Sequence, residues 1–262
     1  MSEVRTRDLL GAPIAVTDYA HAMDEMERMI AGREPGYVCA VPVHSLMVSR
    51  HDEGMRAALR GATMNVPDGR PLVWALNLLG ESLRDRVYGP DLMDRFCARA
   101  ARAGHRLWLY GGATEEALDE LVRALESRHP GLQIAGSWSP PHRPLTPEEE
   151  RDVARRIDTD RADVVWVGLG VPKQELWMAS MRPRLQAPVL VGVGAAFDFL
   201  AGRKRQAPAW MQARGLEWLF RLSQEPLRLL PRYLRYNPAF IAAFARQWLR
   251  ERRQRRRGER RT

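Results

Sequence analysis

The sequence predicts an α/β fold: a mostly parallel sheet with helices on both faces, followed by a basic amphipathic helical appendage at the C-terminal side. Three observations carry this. Short β-branched and aromatic runs alternate with stretches of 3.6-residue periodicity. The runs are continuously apolar, as in strands buried on both faces. Beyond residue 203 the pattern changes, and Arg and Lys crowd among aromatic and Leu side chains. Alternating strands and helices make βαβ units, so the core is Rossmann-like.

Strands are expected at 37–43, 105–110, 132–138, 163–169 and 188–193, where the chain reads as short apolar runs such as Leu107-Trp108-Leu109-Tyr110. Amphipathic periodicity places helices at about 18–29, 45–60, 69–79, 90–103, 114–127, 147–158 and 173–185. A Pro-rich stretch at 139–144 punctuates the middle without dividing two domains. The appendage, 209–249, carries Trp210, Trp218, Phe220, Leu229, Tyr233, Tyr236, Phe240, Phe244 and Trp248 with arginines among them. Pro226, Pro231 and Pro238 are expected to break it into short helices. The division is therefore a core over 1–205, a helical membrane-associating segment over 206–250, and an Arg-rich unstructured end over 251–262.

Composition excludes several classes. The chain has 262 residues, 45% hydrophobic and 28% charged, which is not the profile of a disordered or collagenous protein. Its two cysteines, Cys39 and Cys97, lie in apolar stretches and read as reduced thiols of a cytoplasmic protein. No secretory-type apolar core stands at the N-terminus, and no run approaches the ~18 apolar residues of a membrane span. Charge is distributed unevenly. From Arg203 onward 17 Lys or Arg face four Glu, giving +13, whereas the preceding residues carry −4. A basic tail on a slightly acidic body asks for a polyanionic partner, either nucleic acid or an anionic membrane surface. Aromatic and Leu faces beside Arg faces suit helices lying on a membrane. The alternative is a helix that packs on the body and ends in solvated arginines.

Ligands of an open parallel sheet bind at the strands' carboxyl ends. Four loops there are candidates. Gly111-Gly112-Ala113-Thr114 links a strand to a helix and could admit a diphosphate, although a plain tight turn fits equally well. Gly168-Leu169-Gly170-Val171-Pro172-Lys173-Gln174-Glu175 places Lys173 and Gln174 at a helix start. Gly192-Val193-Gly194-Ala195-Ala196-Phe197-Asp198 brings small residues and one carboxylate to a strand end, where Asp198 binds ribose hydroxyls or merely opens a helix. Pro67-Asp68-Gly69 is first a turn signal, and also a rigid mount for a general base. Two patterns read as decoys. Asp158-Thr159-Asp160 matches a metal-binding D-x-D, but it precedes a strand and so belongs to the opposite edge. His44 and His51 are seven residues apart, too far along a helix for a metal pair.

Three stretches together resemble the WecG/TagA/CpsF family of bacterial glycosyltransferases. They are Asn65-Val66-Pro67-Asp68-Gly69-Arg70-Pro71-Leu72-Val73-Trp74, the loop Gly168 to Glu175, and the run VGVGAAFDFLAGRKRQAPAWMQARGLEWLFRL over 191–222. The similarity spans about residues 12–236. It implies an inverting, metal-independent transfer, with no cofactor, from a UDP-sugar (N-acetylmannosamine-type, hexose or uronic acid) to a polyprenyl-diphosphate-linked saccharide for a cell-surface polysaccharide. The enzyme would sit peripherally at the cytoplasmic face of the cell membrane, held to anionic lipid by its C-terminal helices. The family's general base falls on Asp68, its active-site arginine on Arg86 and its loop glutamine on Gln174. Arginines that close over the donor diphosphate correspond to Arg221 and Arg228, with the diphosphate near Gly111 and Gly112. Lys173, Gly194 and Asp198 complete the expected substrate contacts. Where members often carry Thr-x-Asn, this chain reads Ala40-Val41-Pro42-Val43-His44-Ser45, so that either His44 or Ser45 takes up substrate contact or activity is weakened, a departure that bears on the substrate more than on the fold. Rival readings find less support. The acidic body lacks any nucleic-acid-binding motif, so no nucleic-acid partner is expected, and no G-x-G-x-x-G turn marks a dinucleotide enzyme.

Overall fold

The computed structural model describes residues 4–259, without the side chains of 255 and 257–259. Six strands form one parallel sheet: β3 (Gly36–Val41), β4 (Met64–Pro67), β5 (Arg106–Gly111), β6 (Gln133–Trp138), β7 (Val164–Gly168) and β8 (Val189–Gly192), in the order β4-β3-β8-β7-β5-β6. Two further strands, β1 (Thr6–Leu9) and β2 (Ala12–Ala15), make an antiparallel hairpin that the sequence pattern does not announce. They are only four residues each, too short to show a period. β4 is likewise absent from the expected strands. It is tied to the hairpin by Asn65, whose Nδ2 donates to the Pro13 carbonyl at 3.0 Å and the Leu59 carbonyl at 2.6 Å. The hairpin thus shields the edge strand.

Helices cover both faces. On one side lie α1 (Tyr19–Gly32), α5 (Gly89–Ala103), α6 (Glu115–Arg128) and α9 (Ala196–Leu200), packed over Val38, Leu109, Trp166 and Val191. The other side holds α2 (Val43–Ser49), α3 (Glu53–Gly61), α4 (Arg70–Leu78), α7 (Pro147–Thr159) and α8 (Lys173–Met181), over Cys39, Trp108, Val165 and Leu190. Successive residues of one strand, such as Val165 and Trp166, therefore enter opposite cores, which is why the strands read as unbroken apolar runs. The helix expected over 45–60 is two helices, because Asp52 caps a new start by accepting the Met55 N–H at 2.8 Å. The one expected over 173–185 ends at Met181 and tightens into a 3-10 turn, Arg182–Arg184.

The appendage comprises α10 (Ala209–Ala213), α11 (Glu217–Gln224) and α12 (Pro226–Glu259). Pro226 starts α12 as expected, but Pro231 and Pro238 lie inside it and do not break it. An interior proline costs roughly 3 kcal/mol. The docked face of α12 offsets this: Leu229, Phe240 and Ala243 are buried, and Gln247 donates to the Asp8 carbonyl at 3.0 Å while accepting the Leu10 N–H at 2.9 Å. The helix continues across residue 251, where the sequence suggested an unstructured end; residues 260–262 lie outside the described ones. Among the described residues no helix is long and apolar enough to cross a membrane.

Candidate active site

Asp68 follows β4 at the carboxyl edge of the sheet. Its N–H donates to the Val41 carbonyl at 3.1 Å, and the Val87 N–H donates to the Pro67 carbonyl at 2.9 Å, so the turn is pinned between β3 and the segment leading to α5. Asp68 Oδ1 accepts the Gly89 N–H at 2.7 Å, at the positive end of α5. A side chain at Gly89 would press on the Val193 carbonyl at 3.3 Å and the Ala40 Cβ at 3.4 Å, so glycine lets α5 start against the strand ends. Burial pushes the Asp68 carboxyl up to about 6; Arg86, the Gly89 N–H and Arg221 pull it down, and Glu217 adds to the rise.

Arg86 stands beside this carboxylate, only 8% exposed. Its guanidinium lies over the Tyr88 ring, 4.0 Å from the centroid. One Nη reaches toward the Asp68 backbone carbonyl at 3.5 Å, while the other pairs with Glu217 at 2.5 Å and donates to Gln212 Oε1 at 3.0 Å. Both partners come from the appendage. Sequence reasoning does not single out Gln212, Glu217 or Tyr88; the available signal is a lone Glu opening α11 within the most basic part of the chain.

A second group of polar residues sits over β3, β7 and β8. Gln174 Oε1 accepts the Gly194 N–H at 2.9 Å, and its Nε2 donates to Glu175 Oε1 at 3.3 Å. Glu175 also accepts the Ser45 hydroxyl at 3.3 Å. It is fully buried, with Oε2 unpartnered among the described residues, and burial pushes its carboxyl up to about 7. Arg232 of α12 bears on both Glu175 and His44. The His44 ring stands edge-on to Tyr236 with centroids 4.9 Å apart, and burial lowers its pKa to about 4, so it is neutral near pH 7. Neither Glu175 nor Arg232 stands out from sequence as a site residue.

The remaining expected residues divide. Arg221 is half-buried over the Phe199 ring at 5.6 Å and faces the Asp68 group. Arg228 is exposed and pairs with Glu225. Lys173 is exposed at the start of α8. Asp198 is held by Lys204 at 2.7 Å, and Lys204 also reaches Glu225 at 3.2 Å, so the lysine ties α9 to the appendage. Gly111 ends β5 and Gly112 follows it, four strand spacings from β4 and hence about 19 Å away across the sheet. Gly111 has φ +133°, and a Cβ there would fall 2.6 Å from the Gly168 carbonyl carbon, so close approach to β7 already requires it. Asp158 accepts the Gln186 N–H at 2.8 Å and Asp160 accepts the Trp108 indole N–H at 2.9 Å, both before β7 at the opposite edge. His44 lies in α2, whereas His51 lies beyond its end.

A partly buried carboxylate, a buried arginine and basic helices thus converge at the strand ends. Residues 7–254 match the model described as glycosyl transferase WecG/TagA/CpsF family. The chain is similar to a protein of Staphylococcus aureus (strain NCTC 8325 / PS 47) named N-acetylglucosaminyldiphosphoundecaprenol N-acetyl-beta-D-mannosaminyltransferase, with 27% identity over 216 residues, 82% of this chain and 83% of that protein. A Bacillus spizizenii protein of the same name is 32% identical over 172 residues, 66% of this chain and 65% of that protein. With nearly its whole length matched, its Pro-Asp-Gly turn at a strand end and its basic appendage folded onto that turn, the chain belongs to the WecG/TagA/CpsF family of glycosyltransferases.

Proposed function

We propose that the chain transfers an N-acetylmannosamine-type sugar from a UDP-sugar to a polyprenyl-diphosphate-linked N-acetylglucosamine, in the synthesis of a cell-surface polymer. The sugar and acceptor follow the names of the relatives. The observation that carries the chemistry is Asp68: a partly enclosed carboxyl with a pKa near neutrality, at the ligand-binding edge and beside an arginine group. In this reading Asp68 takes the acceptor hydroxyl's proton as the oxygen attacks the anomeric carbon from the face opposite the leaving UDP, inverting its configuration. Such general-base help is worth about 10²–10⁴-fold.

Arg221 and Arg232, with Arg228 at the rim, answer the charge developing on the diphosphate, as fixed cations do without a metal. The sheet order moves one expectation. Because Gly111 and Gly112 are about 19 Å from β4, they suit the nucleoside end of the donor, and the diphosphate belongs nearer β8 and α11. Gln174 and Gly194 then shape the floor of the donor site, with Lys173 at its rim. The outward stripe of α12, Leu227, Leu230, Leu234, Ile241 and Leu249, lies among arginines and supports seating on an anionic membrane surface.

The test is label transfer from a panel of UDP-sugars into a lipid-extractable fraction, with a polyprenyl-diphosphate N-acetylglucosamine acceptor, with and without EDTA. Transfer from UDP-N-acetylmannosamine that survives EDTA is expected. Transfer abolished by EDTA overturns the metal-free mechanism, and no transfer from any donor overturns the function.

A further inference from the structure

Arg86 is the obvious partner for Asp68, yet the two side chains are not paired. Among the described residues no ion pair joins the Arg86 guanidinium to the Asp68 carboxylate; Arg86 reaches only the Asp68 backbone carbonyl, at 3.5 Å. Its strong partners are Glu217 at 2.5 Å and Gln212 at 3.0 Å, both contributed by the appendage. Gln212 is itself fixed by donating to the Ala207 carbonyl at 2.8 Å. Glu217 and Arg86 are both buried, so their interaction is poorly screened by solvent.

We propose that Glu217, with Gln212, is a positioning residue of the transfer reaction: it takes up the Arg86 guanidinium and so leaves the Asp68 carboxylate free to accept a proton. The inference rests on Asp68 being the base, as in the function proposed above. The groups that face Asp68 are Arg86 and Tyr88 from the segment before α5, the Gly89 N–H of α5, and Glu217 and Arg221 of α11. Burial does most to keep the Asp68 carboxyl basic, and of these groups Glu217 is the one whose negative charge adds to it, against Arg86 and Arg221. Without the Glu217 charge, Arg86 is free to turn to Asp68 and hold it as a spectator anion. Docking of the appendage then does more than close the site. It sets the proton affinity of a base located in the body.

The experiment is Glu217→Gln in the full chain, which keeps shape and removes charge. The acid limb of the pH–kcat/KM profile should move to lower pH, with a lower plateau, because a more acidic base is a weaker one. Glu217→Asp, which restores charge, should return the limb toward the wild-type position. A limb that stays in place with Glu217→Gln overturns the proposal. An activity-free readout runs in parallel: the stability difference between each chain and its Asp68→Asn partner, followed against pH, reports the Asp68 carboxyl directly. In the Glu217→Gln background the pH window of that difference should move down. An unmoved window overturns the coupling even where the chain shows no transfer, whereas a window that moves without transfer upholds the coupling and condemns the assigned reaction.

Discussion

Asp68→Asn should make the protein more stable at pH 8 while nearly abolishing its activity. Burial lifts the folded-state pKa of Asp68 to about 6, from an ordinary 3.8. A tenfold change in proton affinity corresponds to about 1.36 kcal/mol, so the ideal cost of ionising Asp68 in the fold is about 3 kcal/mol. Solvent at the open side of the carboxyl reduces this to roughly 1–3 kcal/mol. Asparagine keeps an oxygen to accept the Gly89 N–H and removes the charge, at the cost of turning the second oxygen into an NH2 donor.

The sign follows from linkage. A raised carboxyl pKa favours the folded state below the unfolded value, and this advantage is lost as pH rises from about 4 through about 6. The gain from Asp68→Asn should therefore be full at pH 8, fall through pH 6 and vanish near pH 4. Urea denaturation at those three pH values measures it. Turnover should fall by about 10²–10⁴-fold over the same range above pH 6. A stability gain independent of pH, or a loss at pH 8, refutes the claim that this carboxylate is held desolvated. A gain of the expected form with full activity refutes its role as base.

Two further outcomes follow from the same reasoning. Glu175→Gln should stabilise the chain above pH 7 by roughly 1–3 kcal/mol and leave it unchanged below about pH 4.5, because it removes a buried charge whose pKa is raised to about 7; denaturation at pH 8 and pH 4.5 distinguishes this from a packing effect. Gly111→Ala should destabilise by about 3 kcal/mol or more, since its Cβ would fall 2.6 Å from the Gly168 carbonyl carbon at a φ of +133° that alanine resists; the denaturation midpoint reports it.

The central sheet is legible in the sequence because its strands are buried on both faces and read as unbroken apolar runs. β7, Val164–Gly168, carries that signature in full. The hairpin and β4 do not, being four residues each and stabilised by tertiary ties such as the Asn65 amide rather than by a period of their own. Asp68 and Gln174 are reachable through motif resemblance, since each lies in a distinctive loop, and Arg86 through its place ahead of the next helix. Glu217 and Glu175 are not, because a carboxylate's role depends on whether its charge is buried and what it meets. Ser45 and Glu175 are 130 residues apart, and Arg86 and Gln212 are 126 apart, so only the folded chain shows the pairing. The prolines of α12 mislead for a related reason: the local penalty is real, but docking of the helix outweighs it.

That long helix carries apolar residues on two sides, more than the single apolar stripe of a helix lying on a protein's surface. The inner side, with Leu229, Phe240 and Ala243, is docked on the body. The outer side leaves Leu227 93% and Leu234 67% exposed. Trp218 of α11 meets Tyr233 of α12 edge-on at 5.8 Å, and α11 begins with Glu217, so the inner face is mechanically continuous with the partner of Arg86. The two faces should therefore separate in experiment. Leu234→Ser should weaken sedimentation with phosphatidylglycerol-containing vesicles, at ~25 cal/mol per Å² of apolar surface no longer buried in lipid, while transfer to a short-chain, water-soluble acceptor is preserved. Phe240→Ser should loosen α12 from the body and reduce both, because Glu217 is then no longer held against Arg86. If Phe240→Ser spares transfer to the soluble acceptor, the appendage acts as a membrane tether alone and the Arg86 partners it supplies are dispensable. If Leu234→Ser reduces that transfer as much as Phe240→Ser does, the outer stripe belongs to the fold rather than to a lipid surface.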